Sequence, residues 1–241
     1  MRRLPTITRN LLLLNIIVFF LSSLRPFGVD LDQVLGLHYW TADSFHWWQP
    51  VTYMFMHAGF DHIFFNMFAV LMFAPVLERE WGEKKFIIYY LICGLGAALA
   101  QELVWMGMFG REIAAYPYLA EQLVTIGASG AVFGILLAFG WLFPEVRMFI
   151  LFIPIPIRAR ILVIGYAIIE LMAGLGTITG ITSADHVAHF AHLGGMVFGL
   201  LVLLYWRYGE QKVKAFWHRL RGTDDDSTDD RWKDYHYQRK L

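Results

Sequence analysis

GASGAVFG, residues 127 to 134, opens an apolar run that continues as ILLAFGWLF. It carries one hydroxyl, Ser129, set among Gly127, Gly130 and Gly134. A lone serine among glycines in such a segment has three readings. It is a helix-packing seam, a bent ion or substrate site, or a nucleophile held where water is scarce.

Composition narrows the setting. The chain has 241 residues, of which 57% are hydrophobic and 17% charged, and its mean hydropathy is +0.48. That is too apolar for an ordinary soluble domain, and the apolar residues fall in long blocks. Lys+Arg and Asp+Glu are both 20, so the balance gives no electrostatic footprint for a nucleic-acid partner. The single cysteine, Cys93, has no partner for an internal disulfide and reads as a buried small hydrophobe. LLLLNIIVFFLSSL follows the basic MRRLPTITRN as in a signal peptide. No clear small-x-small cleavage site follows it, so it reads as a retained first span.

A membrane span needs roughly 20 mostly apolar residues. Six segments qualify, at about 8–24, 58–77, 86–107, 127–144, 159–177 and 187–206. VRMFILFIPIPIRARI lies between the fourth and fifth, where Pro154 and Pro156 break helix; it is expected to form a short extended turn at the membrane surface. With a cytoplasmic N-terminus, the inside segments hold 18 of the 20 Lys and Arg, and the outside loops hold only Arg25 and Arg111. This asymmetry predicts an all-α polytopic membrane protein with six spans and both termini cytoplasmic. Residues 1–207 form the membrane domain. Residues 208–241 form a tail, first basic (KVKAFWHRLRG) and then polar and acidic, expected to be disordered.

That orientation brings polar groups to one depth. Span two begins HAGFDHIFFNMF, and His62 and Asn66, four residues apart, share a helix face. Ser129 lies in the first turn of span four. Span six begins SADHVAHFAHLGGMVFG, with His186, His189 and His192 within its first turns. Ser129, His62, Asn66 and His192 therefore all fall in the outer part of the bilayer. Polar groups there are costly unless paired or hydrated, and several at one depth point to a water-filled recess. Two glycine pairs, Gly130/Gly134 and Gly195/Gly199, have the small-xxx-small spacing that lets helix backbones approach. If these seams face each other, Ser129 and His192 come within hydrogen-bond reach.

These residues resemble the rhomboid intramembrane serine proteases. GASGAVFG is similar to the family's GxSG motif, AHLGGMVFG to its AHxxGxxxG motif and HAGFDHIFFN to its HxxxxHxxxN motif. The resemblance covers roughly 8–206 and includes WWQPVTYMFMH and LEREWG. It implies a six-helix rhomboid-like bundle in a plasma membrane, with the bacterial inner membrane as the expected location. It also implies a serine endopeptidase that needs no cofactor or metal and cuts single-span or polytopic membrane proteins near the outer ends of their spans. Carried over, Ser129 is the nucleophile, His192 the general base, His62 and Asn66 oxyanion-side groups, and Gly127 the shaper of the oxyanion loop. Gly130, Gly134, Gly195 and Gly199 pack helices. Glu78 and Gly82 fit an ExxxG pattern that looks structural.

There are departures and spare residues. Trp48-Gln49 stands where many members have Trp-Arg, and Phe133 where some have a tyrosine stacked on the histidine. The family works with a dyad; the one carboxylate weighed as a third member, Asp185, reads as a cap of span six. His57 reads as a loop-end residue, and His189 as a packing or hydration residue. His38 and His46 lie in the first loop, and Trp47 and Trp48 are interface anchors. Three rivals remain: a metal- or haem-binding membrane oxidoreductase, a non-catalytic relative that escorts membrane helices, and a transporter. The first leaves Ser129 and its glycines unexplained, the second generally lacks the serine or histidine, and the third lacks paired broken helices and a midplane charge. Oligomeric state is left open.

Overall fold

The computed structural model describes residues 3–24, 28–150, 153–179 and 188–209. Arg2, Arg25, Asp185, His186 and the tail from residue 210 lie outside them. The first helix, α1 (Thr6–Leu24), is leucine-rich; Thr8, Leu11 and Asn15 are buried, while Leu13, Ile17, Phe20 and Leu24 are exposed. A carboxylate from elsewhere in the chain meets its free N-terminal amides. Glu78 accepts from the backbone N–H of Ile7 at 2.8 Å, and from the N–H and hydroxyl of Thr8 at 2.7 Å each. An anion suits the positive end of a helix, so the expected structural role of Glu78 has a specific content: it fastens α1.

The segment after α1 is folded. It contains α2 (Leu31–Leu35), β1 (Leu37–His38), α3 (Gln49–Thr52) and a 3₁₀ turn (Tyr53–Phe55). Gln49 is fully buried and ties this segment together. Its side-chain oxygen accepts from the N–H groups of His38 (3.3 Å) and His46 (3.1 Å), and its amide donates to the Ser44 carbonyl (2.9 Å). Trp47 is 82% exposed, as an interface anchor requires.

The longest element, α4 (Phe60–Ala115), covers both the second and third expected spans. As expected these are two helices; they meet at Gly82, whose φ of 77° and ψ of 164° are non-helical, in a kink that takes the place of the expected inner loop. Glycine adopts that conformation without a Cβ penalty. After α4, a 3₁₀ segment (Pro117–Gln122) leads into β2 (Val124–Thr125). β1 and β2 pair antiparallel, Leu37 with Thr125 and His38 with Val124. Tyr39, Ala42, Trp105, Ile113 and Ala120 form a small core under this junction. Glu121 accepts from the Asp43 N–H and the Ser44 hydroxyl. The Ser44 hydroxyl, seconded by the Asp43 N–H, holds the Glu121 carboxyl below its ordinary value.

α5 (Ser129–Leu142) is followed by an antiparallel hairpin of β3 (Arg147–Ile150) and β4 (Ile153–Arg158), and then α6 (Ala159–Thr179) and α7 (His189–Leu204). The hairpin stands where a simple extended turn was expected; Pro154 and Pro156 lie in β4, where their lack of N–H groups suits an edge. Among the described residues, four helices are long and apolar enough to cross a membrane: α1, α4, α6 and the segment beginning at His189. α5 is shorter, at 14 residues. One face of α6 is apolar and exposed at Ile161, Ile164, Ile168 and Met172, as expected of a face toward lipid.

The glycines sit where helices touch. A Cβ on Gly195 would overlap the Gly130 carbonyl, and one on Gly130 would overlap the Ala97 side chain. Gly134 faces Cys93 and the Gly195 carbonyl, and a Cβ on Gly199 would stand 2.5 Å from the Tyr89 hydroxyl. α5 and α7 therefore meet backbone to backbone. Cys93 is buried in this seam, as a small hydrophobe. The chain divides into two compact units, Met1–Val202 and Leu203–Leu241. Of the second, residues 203–209 are described; they end in a π-helical turn, Tyr205–Gly209, with the Arg207 guanidinium 5.1 Å from the Tyr208 ring centre.

Candidate active site

Ser129 is the first residue of α5. The approach to it is built with care. β2 ends at Thr125; Gly127 then turns with φ 136°, a conformation that L side chains rarely adopt, and donates its N–H to the Tyr53 carbonyl at 2.9 Å. Tyr53 is itself buried, with its hydroxyl donating to the Gly94 carbonyl at 2.7 Å. The pairing of β1 with β2 thus fixes the entry to α5 from one side, and Tyr53 fixes it from the other. No side chain caps α5, so its first amides have no partner within the helix.

His192 is the fourth residue of α7, which starts at His189. The close approach of Gly130 and Gly195 brings its Nε2 to 2.7 Å from the Ser129 hydroxyl oxygen. Phe133, one turn after Ser129, lies on the imidazole with ring centres 4.4 Å apart and planes 11° from parallel. His192 is buried and Ser129 is partly accessible.

His62 and Asn66 come from the first two turns of α4. The Ala58 N–H donates to His62 Nδ1 at 3.4 Å, which leaves the proton of the neutral ring on Nε2. The ring lies against Gly127: a Cβ there would stand 2.8 Å from His62 Nε2 and 3.5 Å from the Ser129 hydroxyl oxygen. Only a glycine leaves this approach open. Asn66 is buried, and its amide donates to the His62 carbonyl at 2.9 Å. One of its two N–H groups is thus committed to the helix. Ser129, His192, His62 and Asn66 all lie in the N-terminal turns of their helices, three helix ends that converge on one place. His57 is buried beside His62, with ring centres 5.0 Å apart. A cavity of about 280 Å³ opens next to it, lined in part by Ser22, Asp30 and Asp32.

One contact has no counterpart in the sequence reading. Glu170, in α6, places its Oε2 2.9 Å from His192 Nδ1 and 2.7 Å from His189 Nδ1. All three residues are buried. Sequence reasoning weighed Asp185 and passed over Glu170; the expectation that no span carries a charge near its middle is corrected by this residue, which lies midway along α6. The available signal was a carboxylate in the middle of a span, which is rarely placed there without a partner. His189 is thereby tied to the same carboxylate as His192. Glu170, His189 and His192 also offer ligand atoms within 4.8 Å of one another, a set able to hold a metal ion.

Comparison with known proteins adds a second line. A model of the Rhomboid domain matches residues 44–209. The rhomboid protease AarA of Providencia stuartii is 32% identical over 228 residues, covering 87% of this chain and 75% of that protein. A rhomboid protein of Bacillus subtilis, YdcA, is 33% identical over 137 residues, or 55% of this chain and 60% of that protein. Rhomboid-like protein 11 of Arabidopsis thaliana, a chloroplast protein, is 32% identical over 173 residues, or 66% of this chain and 52% of that protein. The chain thus spans between half and two thirds of the length of these last two relatives.

Proposed function

Since the chain belongs to the rhomboid family and is an integral membrane protein, we propose that it is an intramembrane serine endopeptidase that hydrolyses peptide bonds at the outer ends of transmembrane segments. Ser129 is the nucleophile and His192 the general base. The observation that carries this reading is the 2.7 Å approach of His192 Nε2 to the Ser129 hydroxyl, made between residues 63 apart in sequence on two different helices.

The chemistry follows from that pair. A serine hydroxyl is a weak nucleophile until a base accepts its proton. As the Ser129 oxygen bonds to the substrate carbonyl carbon, its proton passes to His192 Nε2. His192 then gives the proton to the leaving amine as the C–N bond breaks, which leaves an acyl-enzyme. Water attacks that ester and gives its proton to His192; collapse of the second intermediate returns a proton to Ser129. Each attack places negative charge on the former carbonyl oxygen. The uncapped α5 amides meet it at the positive end of a helix, and His62 Nε2–H and the uncommitted Asn66 N–H add side-chain donors. Losing one such donor typically lowers the rate about 10²–10³-fold.

A substrate helix hides its carbonyls in its own hydrogen bonds. It must unwind to reach Ser129, so helix-weakening residues near the outer end of the span favour cleavage. A small residue at the cut follows from the family resemblance. In this reading the two arms of α4 cross the membrane separately and α5 is the fourth of six spans. Both termini are cytoplasmic, and the site faces the extracytoplasmic side of a bacterial plasma membrane. Residues 1–207 are the protease domain and 208–241 a cytoplasmic tail. Substrates are single-span or polytopic membrane proteins.

The test is to incubate purified wild-type, Ser129→Ala and His192→Ala protein with labelled transmembrane peptides and map the cuts. Cleavage by wild type alone supports the reading, and undiminished cleavage by either variant refutes it.

A further inference from the structure

On the reading that Ser129 and His192 are the reacting pair, on which this inference rests, we propose that Glu170 is a positioning residue. It holds His192 with its proton on Nδ1 and the Nε2 lone pair aimed at Ser129, and His189 secures the carboxylate.

A neutral imidazole has one N–H and can carry it on either nitrogen. Only the form protonated on Nδ1 can accept the Ser129 proton at Nε2. An ionised carboxylate accepts hydrogen bonds and donates none, so Glu170 Oε2, 2.9 Å from His192 Nδ1, selects that form. Phe133 fixes the plane of the ring, and the Glu170 contact fixes its rotation within that plane. When Nε2 takes the proton, the carboxylate faces the positive ring; the Nδ1 proton stays where it is.

Glu170 needs holding in turn. It lies in α6, a helix whose other face is apolar and exposed. His189 Nδ1, 2.7 Å away, donates to the same oxygen that serves His192. His189 is three residues before His192 on α7, so one helix presents both imidazoles to the carboxylate of its neighbour. The arrangement links α6 and α7 at the reacting base.

The same three side chains form a metal-ligand set. A cation on His192 Nδ1 would leave the ring proton on Nε2 and remove the base. The two uses therefore exclude each other, and one set of experiments separates them.

Wild type, Glu170→Gln and His189→Ala are purified as full chains and assayed on a single-span peptide, with kcat and KM determined separately. ¹⁵N spectra of histidine-labelled wild type are recorded, and His192 is assigned by its loss in His192→Ala. We expect wild-type His192 to carry its proton on Nδ1. Glu170→Gln should lower kcat about 10²–10⁴-fold, the range from one hydrogen-bond donor to a triad carboxylate, with KM little changed. His189→Ala should lower it far less. A wild-type His192 signal showing the proton on Nε2 overturns the proposal, even if Glu170→Gln does not fold. So does wild-type kcat in Glu170→Gln, or a stoichiometric metal released on Glu170→Gln substitution with a gain of activity. Wild-type protein that cleaves nothing, with His192 protonated on Nδ1, instead sinks the protease reading.

Discussion

Phe133 lies flat against His192, with ring centres 4.4 Å apart and planes 11° from parallel. A tyrosine in its place would add a hydroxyl, but the stacking surface needs only the ring. Aromatic pairs contribute about 0.5–1.5 kcal/mol beyond the area they bury, and 1.36 kcal/mol is tenfold in rate. Phe133→Leu keeps bulk and loses the stack. It is expected to lower kcat by ~2- to 10-fold with little change in KM, measured by steady-state cleavage of a transmembrane peptide.

Two alanine substitutions at glycines should go in opposite directions. At Gly195 a Cβ would overlap the Gly130 carbonyl, a backbone atom that cannot turn aside. Overpacking of this kind costs about 1–3 kcal/mol, and it separates the helices that carry Ser129 and His192. Gly195→Ala should lower both the unfolding temperature in detergent and the cleavage rate. At Gly165, in α6, a Cβ meets nothing within 4 Å. Gly165→Ala should be neutral or stabilise by up to about 1 kcal/mol through helix propensity.

Glu78 is predicted to be a structural fastener with no part in the chemistry. It receives three hydrogen bonds from the start of α1. Hydrogen bonds to charged groups are worth about 1.5–3 kcal/mol, and neutral ones about 0.5–1.5. Glu78→Gln should therefore destabilise more than Thr8→Val, which removes the hydroxyl and keeps the amides. Thermal unfolding of the two variants gives the order; equal stability would contradict it.

His62 and Asn66 should differ in weight. His62 has its ring nitrogen directed at Gly127 beside Ser129, whereas Asn66 spends one N–H on its own helix. His62→Ala is expected to lower kcat about 10²–10³-fold. Asn66→Ala should fall short of that. Parallel kcat measurements decide it, and a larger effect at Asn66 would reverse the assignment of the main donor.

The helices were legible because their signal is local. Apolar length marks α1, α6 and α7, and the glycine spacing marks the α5–α7 contact. The tightness of the junction inside α4 was not legible, since a charged stretch containing Gly82 reads as a loop; the backbone geometry reduces it to one kink between two helices. The hairpin of β3 and β4 was visible as extended chain, but its pairing depends on register. At the site, Ser129, His192, His62 and Gly127 stood out through motif and depth. The pairing of β1 with β2, two residues each, carries almost no sequence pattern, although it leads directly into Ser129. Glu170 was missed because its partners lie 19 and 22 residues away on another helix. A carboxylate inside IIELMAG was the clue, and its meaning comes only from the imidazoles facing it.

The central claim is that Ser129 is a nucleophile activated by His192. Its most direct test is reaction of the purified protein in detergent with a serine-directed fluorophosphonate, followed by peptide mapping of the adduct. The account predicts a single adduct on Ser129 in wild type, lost in Ser129→Ala and strongly reduced in His192→Ala. Labelling at another serine, or undiminished labelling of Ser129 without His192, would contradict it.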